Sequence, residues 1–418
     1  MSFLDAIREI KDAIGVLVPA NRTFLLCQTS KTMCTAVKNA KLNTIVVRRD
    51  GVKFCNGEGL QDKLNGLNAW CRVTVLDLNE CELRKNGAHM IAAVLCMNTM
   101  LKELNLFYNE LGEDGVQAIA DVLRENTTLT NLNLGYNLGY NELGEDGVHV
   151  IADVLRKNTT LTNLNLSGNS LKESKGQTIA VALRENHTLT NLDLTYNELG
   201  ESAGQAFAVA LSVNTTLTEL NLSYNELGEG AGQAIADVLC ENTTLTNLNL
   251  ANNSLREDGG QAIAAALRVN TTLTELNLFY NRLRVGGGQA IAAVLHVNTT
   301  LTNLSLGGNE LGEGGGQAIA VALHVNKTLT YLNLERNYLE NSGTQAIAAS
   351  LHVNKTLTYL NLERNYMGNS GGQAIATALR VNNTLKDIDI SDNYLGEDRE
   401  QAIAAMLREN HTLTNLNL

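Results

Sequence analysis

The sequence has a single proline and a single tryptophan among its 418 residues, and aromatic residues make up only 4%. With so little proline the chain has few stiff linkers, which argues against a string of independent domains. No stretch of 18 or more apolar residues is present, so no membrane-spanning helix is predicted. The net charge of −12 argues against general binding to nucleic acid, which needs a basic surface.

Cysteine is present in an odd number, seven, and without a CxxC pair. The N-terminal segment lacks the basic region and uninterrupted apolar core of a signal peptide. Both features predict free thiols in a reducing compartment rather than a disulfide framework. The sequence therefore indicates a cytoplasmic location.

What the sequence does have is an internal repeat. Its copies follow one another at a spacing of 28 residues, with one interval of 32 residues. The copies begin at Leu101, Leu129, Leu161, Leu189, Leu217, Leu245, Leu273, Leu301, Leu329, Leu357 and Leu385. A looser copy begins at Val73 and a degenerate one at Leu42. A repeat of this length predicts a solenoid, in which each copy buries its apolar side against its neighbours.

Each copy has two halves with different apolar periods. LxxLxL alternates as in a short strand, whereas QAIAxxLxxN places its apolar residues on one face of a helix. The full pattern, LxxLxLxxNxLGxxGxxAIAxxLxxN, resembles the leucine-rich repeat family in its 28-residue, ribonuclease-inhibitor-like form, over residues 73–418. The resemblance implies an α/β horseshoe with a parallel sheet on its concave face and helices on its convex face. Strands stack about 4.8 Å apart and helices about 8–10 Å apart, so such a solenoid curves.

Two columns of asparagine run through the copies. The first follows the strand, as at Asn281 and Asn309, and predicts side-chain hydrogen bonds between the turns of successive copies. The second follows the helix, as at Asn270, in Asn-x-Thr sequences that formally match glycosylation acceptors. We interpret this second column as a helix C-terminal turn that stays unmodified in the absence of a signal peptide.

Glycine-rich and acidic segments lie between the two halves of each copy. We interpret glycines such as those in 284–290 and 312–318 as turns, because no phosphate-loop lysine follows them. Acidic residues such as Glu113 and Glu313 are expected in the same strand-to-helix loops, where they form a solvated rim.

Most strand positions between the leucines hold small polar residues, and the repeats in which they hold aromatic residues mark the candidate binding surface. Tyr331 and Tyr359 occupy strand positions in two copies of KTLTYLNLERNY, which are expected to lie side by side. Tyr and Arg are residue types that anchor protein interfaces. The first candidate group is Tyr331, Tyr359, Arg336, Arg364, Tyr338, Tyr366 and Tyr394. The second group is Phe107, Tyr108, Tyr136, Tyr196, Tyr224, Phe279 and Tyr280. The alternative is that these side chains pack on neighbouring repeats and cover the backbone.

The first 41 residues lack the repeat, and their apolar spacing predicts a helical cap on the solenoid, followed by a degenerate repeat over residues 42–72. The same segment is similar to the later part of an F-box, although the early Leu-Pro of that family is missing. The matching residues are Pro19, Leu25, Leu26, Ser30, Lys31, Ala36 and Leu42. This resemblance implies docking of an Skp-type protein through residues 1–41.

No catalytic, phosphate-loop or metal-binding motif is present, so we expect no enzyme activity, cofactor or metal. The leucine-rich repeat resemblance implies a protein-interaction scaffold that binds a protein partner through its concave face and loop rims. Two alternatives remain open: an F-box-type substrate adaptor of a cullin ubiquitin ligase and a Ran-type GTPase-activating protein. The last copy stops in mid-repeat at Leu418 without a polar capping repeat, so we expect it to fray or to pair with another molecule.

Overall fold

The computed structural model describes residues 23–25, 44–46, 74–136, 145–394 and 399–418. The chain divides into two units, Met1–Asn197 and Glu198–Leu418. The first unit contains β1 (Thr23–Leu25), β2 (Thr44–Val46), β3 (Val75–Asp77), α1 (Arg84–Met97), β4 (Glu103–Asn105), α2 (Gly112–Leu123), β5 (Asn131–Asn133), α3 (Glu145–Lys157), β6 (Asn163–Asn165), α4 (Lys172–Leu183) and β7 (Asn191–Asp193).

The second unit continues the same alternation of strand and helix. It contains α5 (Gly200–Leu211), β8 (Glu219–Asn221), α6 (Gly228–Leu239), β9 (Asn247–Asn249), α7 (Arg256–Leu267), β10 (Glu275–Asn277), α8 (Arg284–Leu295), β11 (Asn303–Ser305), α9 (Gly312–Val325), β12 (Tyr331–Asn333), α10 (Glu340–Leu351), β13 (Tyr359–Asn361), α11 (Gly368–Val381), β14 (Asp387–Asp389), α12 (Arg399–Glu409) and β15 (Asn415–Asn417).

Within each unit, neighbouring strands pair in parallel and in chain order, offset by one repeat. In the second unit, Leu276, Leu304 and Leu332 are in register on three successive strands. From β3 to β14 the middle residue of each strand is buried, which leaves the first and third residues on the opposite face of the sheet. We call this opposite face the open face. The predicted α/β repeat fold with a parallel sheet is confirmed.

The helices pack side by side along each unit, and the columns of leucine, isoleucine and alanine between helices and sheet form the core. Helices take more room than strands in such a stack, so each unit curves around its open face. The described helices have 11–14 residues, and none of them has the length and apolar character needed to cross a membrane.

The glycine-rich segments lie inside helices, which corrects their interpretation as turns. Segment 284–290 opens α8 and segment 312–318 opens α9. Neighbouring helices approach closely at such positions: a Cβ on Gly260 of α7 would lie 2.9 Å from Leu283 Cδ2 and 3.5 Å from the Cα of Gly287. Glycine therefore allows close helix packing here rather than forming a turn, although Val116, Val148 and Thr344 occupy the matching position in other repeats.

The acidic residues expected in the strand-to-helix loops also lie in the helices. Glu113 and Asp114 are in the first turn of α2, Glu201 in that of α5 and Glu313 in that of α9. Carboxylates in a first turn offset the partial positive charge of the helix N-terminus. They stabilise individual helices, which is a simpler role than attraction of a basic partner.

The first asparagine column forms a buried hydrogen-bonded ladder, as predicted. Asn281 Nδ2 donates to the carbonyl oxygen of Leu250 in the preceding repeat at 2.8 Å and to that of Leu278 in its own repeat at 3.0 Å. Its Oδ1 accepts from the backbone N–H groups of Asn253 at 3.1 Å and Leu255 at 3.2 Å. Each such amide satisfies backbone groups that would otherwise be buried without partners.

The second asparagine column joins each helix end to the preceding repeat, which confirms the predicted C-terminal turn. Asn270 Nδ2 donates to the carbonyl oxygen of Leu239 at 2.8 Å. Its Oδ1 accepts from the N–H groups of Thr272 at 3.1 Å and Leu273 at 2.8 Å. The amide nitrogen that a glycan would modify is therefore used by the fold.

A strand lies within the segment for which a helical cap was predicted. β1 pairs in parallel with β2, with Phe24 in register with Ile45, so the sheet includes part of residues 1–41. The helices expected in that segment, and the F-box-like residues other than Leu25, lie outside the described residues. So do residues 137–144, which follow β5 in the longer interval of the repeat.

Candidate functional site

Two tyrosines stack on the open face of the sheet in the second unit. Tyr331 begins β12, Tyr359 begins β13, and parallel pairing brings them into register. Their ring centroids are 4.2 Å apart and the ring planes differ by 6°. Both side chains are half-buried. Burial raises the pKa of Tyr359, and Tyr331, Asp387 and Asp389 raise it further. The expectation that the two KTLTYLNLERNY copies lie side by side is confirmed.

Two partly buried carboxylates, Glu335 and Glu363, follow the two strands that carry this stack. Glu335 Oε2 accepts hydrogen bonds from Asn333 Nδ2 at 3.2 Å and from Asn361 Nδ2 at 2.9 Å. The side chains of Glu335 and Glu363 are 17% and 24% exposed. Burial raises the pKa of Glu363, followed by repulsion from Glu335 and Asp389. The site therefore holds like charges close together in a partly dehydrated position.

An arginine connects this surface to the second candidate group. Arg336 Nη1 donates to Tyr280 Oη at 2.8 Å, although the two residues are 56 positions apart. Gly308 occupies the matching position in the repeat between those of Tyr280 and Arg336. A Cβ on Gly308 would be 2.7 Å from Tyr280 Cδ1. A Cβ on Gly307 would similarly be 2.6 Å from the ring of Phe279. These two glycines give the rings of the preceding repeat room to lie across their turn.

The turns that follow β12, β13 and β14 carry a second row of tyrosines. The ring centroids of Tyr338 and Tyr366 are 5.7 Å apart, those of Tyr366 and Tyr394 are 6.0 Å apart, and both pairs are nearly parallel. Beside this row, Arg364 Nε donates to Asp392 Oδ2 at 2.7 Å. The structure therefore brings all seven residues of the first group into three successive repeats.

The second candidate group is divided between the two units. Phe107, Tyr108, Tyr136 and Tyr196 belong to the first unit. The ring of Tyr136 lies 5.2 Å from Phe107 and 6.5 Å from Tyr196, with tilted planes. A Cβ on Gly168 would be 2.7 Å from the Tyr136 ring. Burial and then the charge of Asp193 raise the pKa of Tyr136.

The remaining members of that group belong to the second unit. Phe279 and Tyr280 adjoin the first group through Gly307, Gly308 and Arg336, so the division between the two groups was wrong for this pair. Tyr224 lies in the turn after β8, four strands before β12, which is about 19 Å at the usual strand spacing. The structure does not bring Tyr224 to the Tyr331 stack.

Sequence reasoning missed the polar residues that complete the surface. Asp387 and Asp389 of β14 lie in register with Tyr359 and Asn361, and they add two charges beside the stack. The sequence did contain a signal for these residues. The copy that directly follows the two KTLTYLNLERNY segments has Asp387 and Asp389 at its two outward-facing strand positions. The glycines that underlie Phe279 and Tyr280 are likewise at the matching positions one repeat later.

The chemistry of this surface is suited to recognition. In the described residues, no group of three or more His, Cys, Asp or Glu side chains is arranged to hold a metal ion. Aromatic rings, carboxylates and guanidinium groups at half-exposed positions provide apolar area and directed hydrogen bonds, as protein interfaces do.

Comparison with known proteins gives the family of the repeats. A family model described as Leucine Rich repeat matches residues 98–120, 185–208, 213–236, 241–264, 269–292, 297–320, 325–348 and 353–376. A search of curated proteins found no match.

Solved structures add similarity of fold. The Rad7 and Elc1 complex of yeast includes a chain with a TM-score of 0.51 at 16% identity, over 100% of this chain and 92% of that one. The TLR13–ssRNA13 complex has a TM-score of 0.48 at 18% identity, over 84% of this chain and 43% of that one. Leiomodin-1 actin-binding site 2 has a TM-score of 0.32 at 24% identity, over 36% of this chain and 87% of that one.

Each matched segment falls on a strand–helix pair of the structure, and the seven from 185–208 to 353–376 fall on successive pairs. The similarity to the Rad7 complex concerns the fold alone, and it covers the whole chain. The 28-residue spacing, the parallel strands and the matched segments agree on one assignment: the chain contains leucine-rich repeats and has an α/β solenoid fold.

Proposed function

We propose that the protein is a non-catalytic scaffold that binds a protein partner through the concave, open face of its sheet and the adjoining turns in the second unit. The observation that carries this proposal is the half-exposed Tyr331–Tyr359 stack, whose rings are 4.2 Å apart. The Arg336–Tyr280 hydrogen bond extends the same surface across two further repeats. Tyrosine and arginine in such a cluster are typical of the residues that carry most of the binding energy at interfaces.

The backbone under these side chains supports the same function. Tyr280 and Arg336 have φ values of +53° and Tyr338 has a φ value of +56°. A left-handed conformation costs about 1–2 kcal/mol for residues other than glycine, and asparagine tolerates it better than most. Gly308 and Asn252 fill the position of Tyr280 in other repeats. Tyr108, Tyr196 and Tyr224 adopt the same conformation at the matching position, so this turn geometry is a property of the repeat and holds the side chains at this position in one direction.

The tyrosine row in the turns, Tyr338, Tyr366 and Tyr394, belongs to the proposed surface together with Arg364. Their side chains are 49%, 50% and 77% exposed. The aromatic cluster of the first unit and Tyr224 stay predictions as further partner-binding residues. We also propose the ribonuclease-inhibitor-like form of the repeat, because each strand from β3 to β14 is followed by a helix of 11–14 residues.

The fold of a protein complex offers limited further support. The matching chain was solved in a complex of Rad7 and Elc1, so a chain of this fold has a protein partner in that case. The F-box-type adaptor function depends on residues 1–41, of which the structure describes only Thr23–Leu25, as a strand. It stays a prediction, as does the GTPase-activating function, and binding through the repeats stands without either.

A cytoplasmic location is proposed together with this function. Asn270 is 5% exposed and its Nδ2 donates to the carbonyl oxygen of Leu239. A glycan on that nitrogen would remove the hydrogen bond, and the same holds at Asn298 and Asn326. These hydrogen bonds can all form in a compartment, such as the cytoplasm, where the Asn-x-Thr sequences are not glycosylated.

Affinity capture with the full chain tests the binding function. We expect a partner captured by the native chain to be lost from the Tyr331→Ala/Tyr359→Ala variant. The matched control is Val325→Ala/Val353→Ala, which changes residues 49% and 51% exposed at the helix ends of the same region. Circular dichroism verifies that both variants fold. Retention of every partner by the folded tyrosine variant contradicts the proposal.

A further inference from the structure

Charge on the proposed surface is unbalanced. The segments 330–338, 358–366 and 386–394 span β12, β13, β14 and the turns that follow them. Together they contain five carboxylates and three basic side chains, so their net charge is −2 when all are ionised. The carboxylates are Glu335, Glu363, Asp387, Asp389 and Asp392, and the basic residues are Arg336, Arg364 and Lys386.

The two arginines are already engaged. Arg336 donates to Tyr280 Oη at 2.8 Å and lies 3.9 Å from the nearer Glu335 oxygen. Arg364 donates to Asp392 at 2.7 Å and lies 3.4 Å from Glu363. Their strongest hydrogen bonds therefore point away from Glu335 and Glu363.

Neutral amides donate hydrogen bonds to three of the five carboxylates, Glu335, Asp387 and Asp389. Asn333 and Asn361 donate to Glu335. Asn415 Nδ2 donates to Asp387 at 2.9 Å and Asn417 Nδ2 donates to Asp389 at 2.7 Å. These bonds fix the orientation of the carboxylates without removing their charge. Oriented carboxylates that keep their charge are ready to accept hydrogen bonds from a cation.

The tyrosine stack offers a flat surface beside these charges. One face of Tyr331 is covered by Tyr359. The residue in register on the other side is Asn303, whose side chain is too short to cover a phenol ring. A guanidinium group stacks on a tyrosine face and also forms paired hydrogen bonds with a carboxylate, which an ammonium group does not match.

We infer that the face formed by Tyr331, Tyr359, Glu335, Glu363, Asp387 and Asp389 binds an extended, arginine-bearing segment of a partner protein. This inference rests on the proposed function and adds the chemistry of the partner. One guanidinium group stacks on Tyr331 and pairs with Glu335 or Glu363. A second one reaches Asp387 or Asp389. β12 and β14 are two strand spacings apart, about 10 Å, which an extended chain covers in about three residues.

The probe for this inference is an eight-residue peptide of glycine and alanine that carries two arginines three positions apart. Isothermal titration calorimetry at low salt, with peptide up to millimolar concentration, gives its Kd for the full native chain. We expect saturable binding that weakens as salt is added. Replacement of both arginines by citrulline, which keeps the planar shape without the charge, is expected to weaken binding roughly tenfold or more. A dilysine peptide is expected to bind severalfold more weakly.

Matched variants locate the binding on the protein. Glu335→Gln/Glu363→Gln is expected to weaken the arginine peptide roughly tenfold. Glu275→Gln, at the first position of β10 on the same open face, is expected to leave the Kd within about twofold, because a single more distant charge is largely screened. Equal binding of the arginine and citrulline peptides, or an unchanged Kd in the double variant, overturns the inference.

Failure of this inference is distinguishable from failure of the proposed function. If the arginine peptide does not bind but the Tyr331→Ala/Tyr359→Ala variant still loses its captured partner, the surface binds protein by other chemistry and only the inference is wrong. If that variant keeps every partner while the arginine peptide binds as expected, the face recognises arginine but is not the main partner site.

Discussion

In both units a tyrosine ring lies across a glycine in the turn of the next repeat. The two units differ in the side chain at the matching position one repeat after that glycine. In the first unit Tyr136 lies against Gly168, and the next side chain in that row is the ring of Tyr196, 6.5 Å away. In the second unit Tyr280 lies against Gly308, and the next side chain is Arg336, which donates to the tyrosine hydroxyl. The backbone arrangement is shared, whereas the arginine that donates to the tyrosine hydroxyl belongs to the second unit. We therefore attribute binding to the side chains in the repeat after the glycine, such as Arg336, rather than to the glycine–tyrosine pair itself.

The largest expected effect is on stability, and it comes from the buried asparagine ladder next to each glycine–tyrosine pair. Asn309 Nδ2 donates to the carbonyl oxygens of Leu278 and Leu306, both at 2.8 Å, and its Oδ1 accepts from the N–H of Asn281. Asn309→Ala leaves these buried groups without partners, and we expect a loss of about 3–5 kcal/mol in the free energy of unfolding. Urea denaturation measures this loss.

The matched change in the first unit is Asn169→Ala. Asn169 Nδ2 donates to the carbonyl oxygens of Leu134 and Leu166 at 3.0 and 2.9 Å, so a similar loss of stability is expected. Only Asn309→Ala should also weaken the arginine peptide, because it loosens the turn that carries Tyr280. A stability change below about 1 kcal/mol in both variants would show that the ladder contributes little.

The glycines give the next largest effect. Gly308 and Gly168 have φ values of +66° and +63°, where alanine costs roughly 1–2 kcal/mol more than glycine. A Cβ at either position would also lie 2.7 Å from a tyrosine ring. We expect Gly308→Ala and Gly168→Ala to lower stability by similar amounts in urea denaturation. Binding of the arginine peptide should fall in Gly308→Ala alone, and an equal fall in both variants would remove the distinction between the units.

A hydroxyl deletion tests the link between Tyr280 and Arg336 with less disturbance of the fold. Tyr280→Phe keeps the ring and removes the acceptor of the 2.8 Å hydrogen bond. Freed from Tyr280, Arg336 can turn towards Glu335 and compete with an incoming guanidinium group. We expect the arginine peptide to bind about three- to tenfold more weakly, in line with one charge-assisted hydrogen bond. Tyr136→Phe in the first unit is the control, with an unchanged Kd expected.

The repeat made much of the fold predictable, because residues 28 positions apart become neighbours on adjacent strands. That rule alone places Tyr331 beside Tyr359, and it aligns the asparagine ladders. It also predicts the strands from LxxLxL, since the leucine between two polar positions must face the core. Local periodicity and fold agree at these positions, so no tertiary information was needed.

The remaining features depend on distances that a repeat pattern does not contain. The Arg336–Tyr280 bond crosses a whole repeat, and it depends on the absence of a side chain at Gly308 as well as on its two partners. The glycines at the helix starts were interpreted as turns, whereas Gly260 lies inside α7, where a Cβ would lie 2.9 Å from Leu283 Cδ2 at the start of α8. In both cases a neighbouring repeat, not the local sequence, determines the residue.

The smallest expected effect is that of Glu363→Gln, which should increase stability slightly while it weakens peptide binding. Burial and the nearby Glu335 raise the pKa of Glu363 above its ordinary value. A carboxyl group with a raised pKa in the folded state stabilises the chain below its unfolded pKa, and that contribution is lost as the pH rises through its folded pKa. At pH 7 the ionised Glu363 is therefore slightly unfavourable. We expect Glu363→Gln to increase the free energy of unfolding by about 0.5 kcal/mol or less, while it weakens the arginine peptide.

The pH dependence makes this test specific. At a pH below the pKa of Glu363 the protonated acid and glutamine are nearly equivalent, so the stability gain measured by urea denaturation should disappear there. Glu275→Gln, which changes a carboxylate that accepts from Asn247 at 2.8 Å on an exposed part of the same face, should show no gain at pH 7. Lower stability of Glu363→Gln at pH 7 would mean that Glu363 is a structural residue. A gain in stability together with weaker binding would mean that the fold tolerates repulsion between Glu335 and Glu363 because a cation from the partner relieves it.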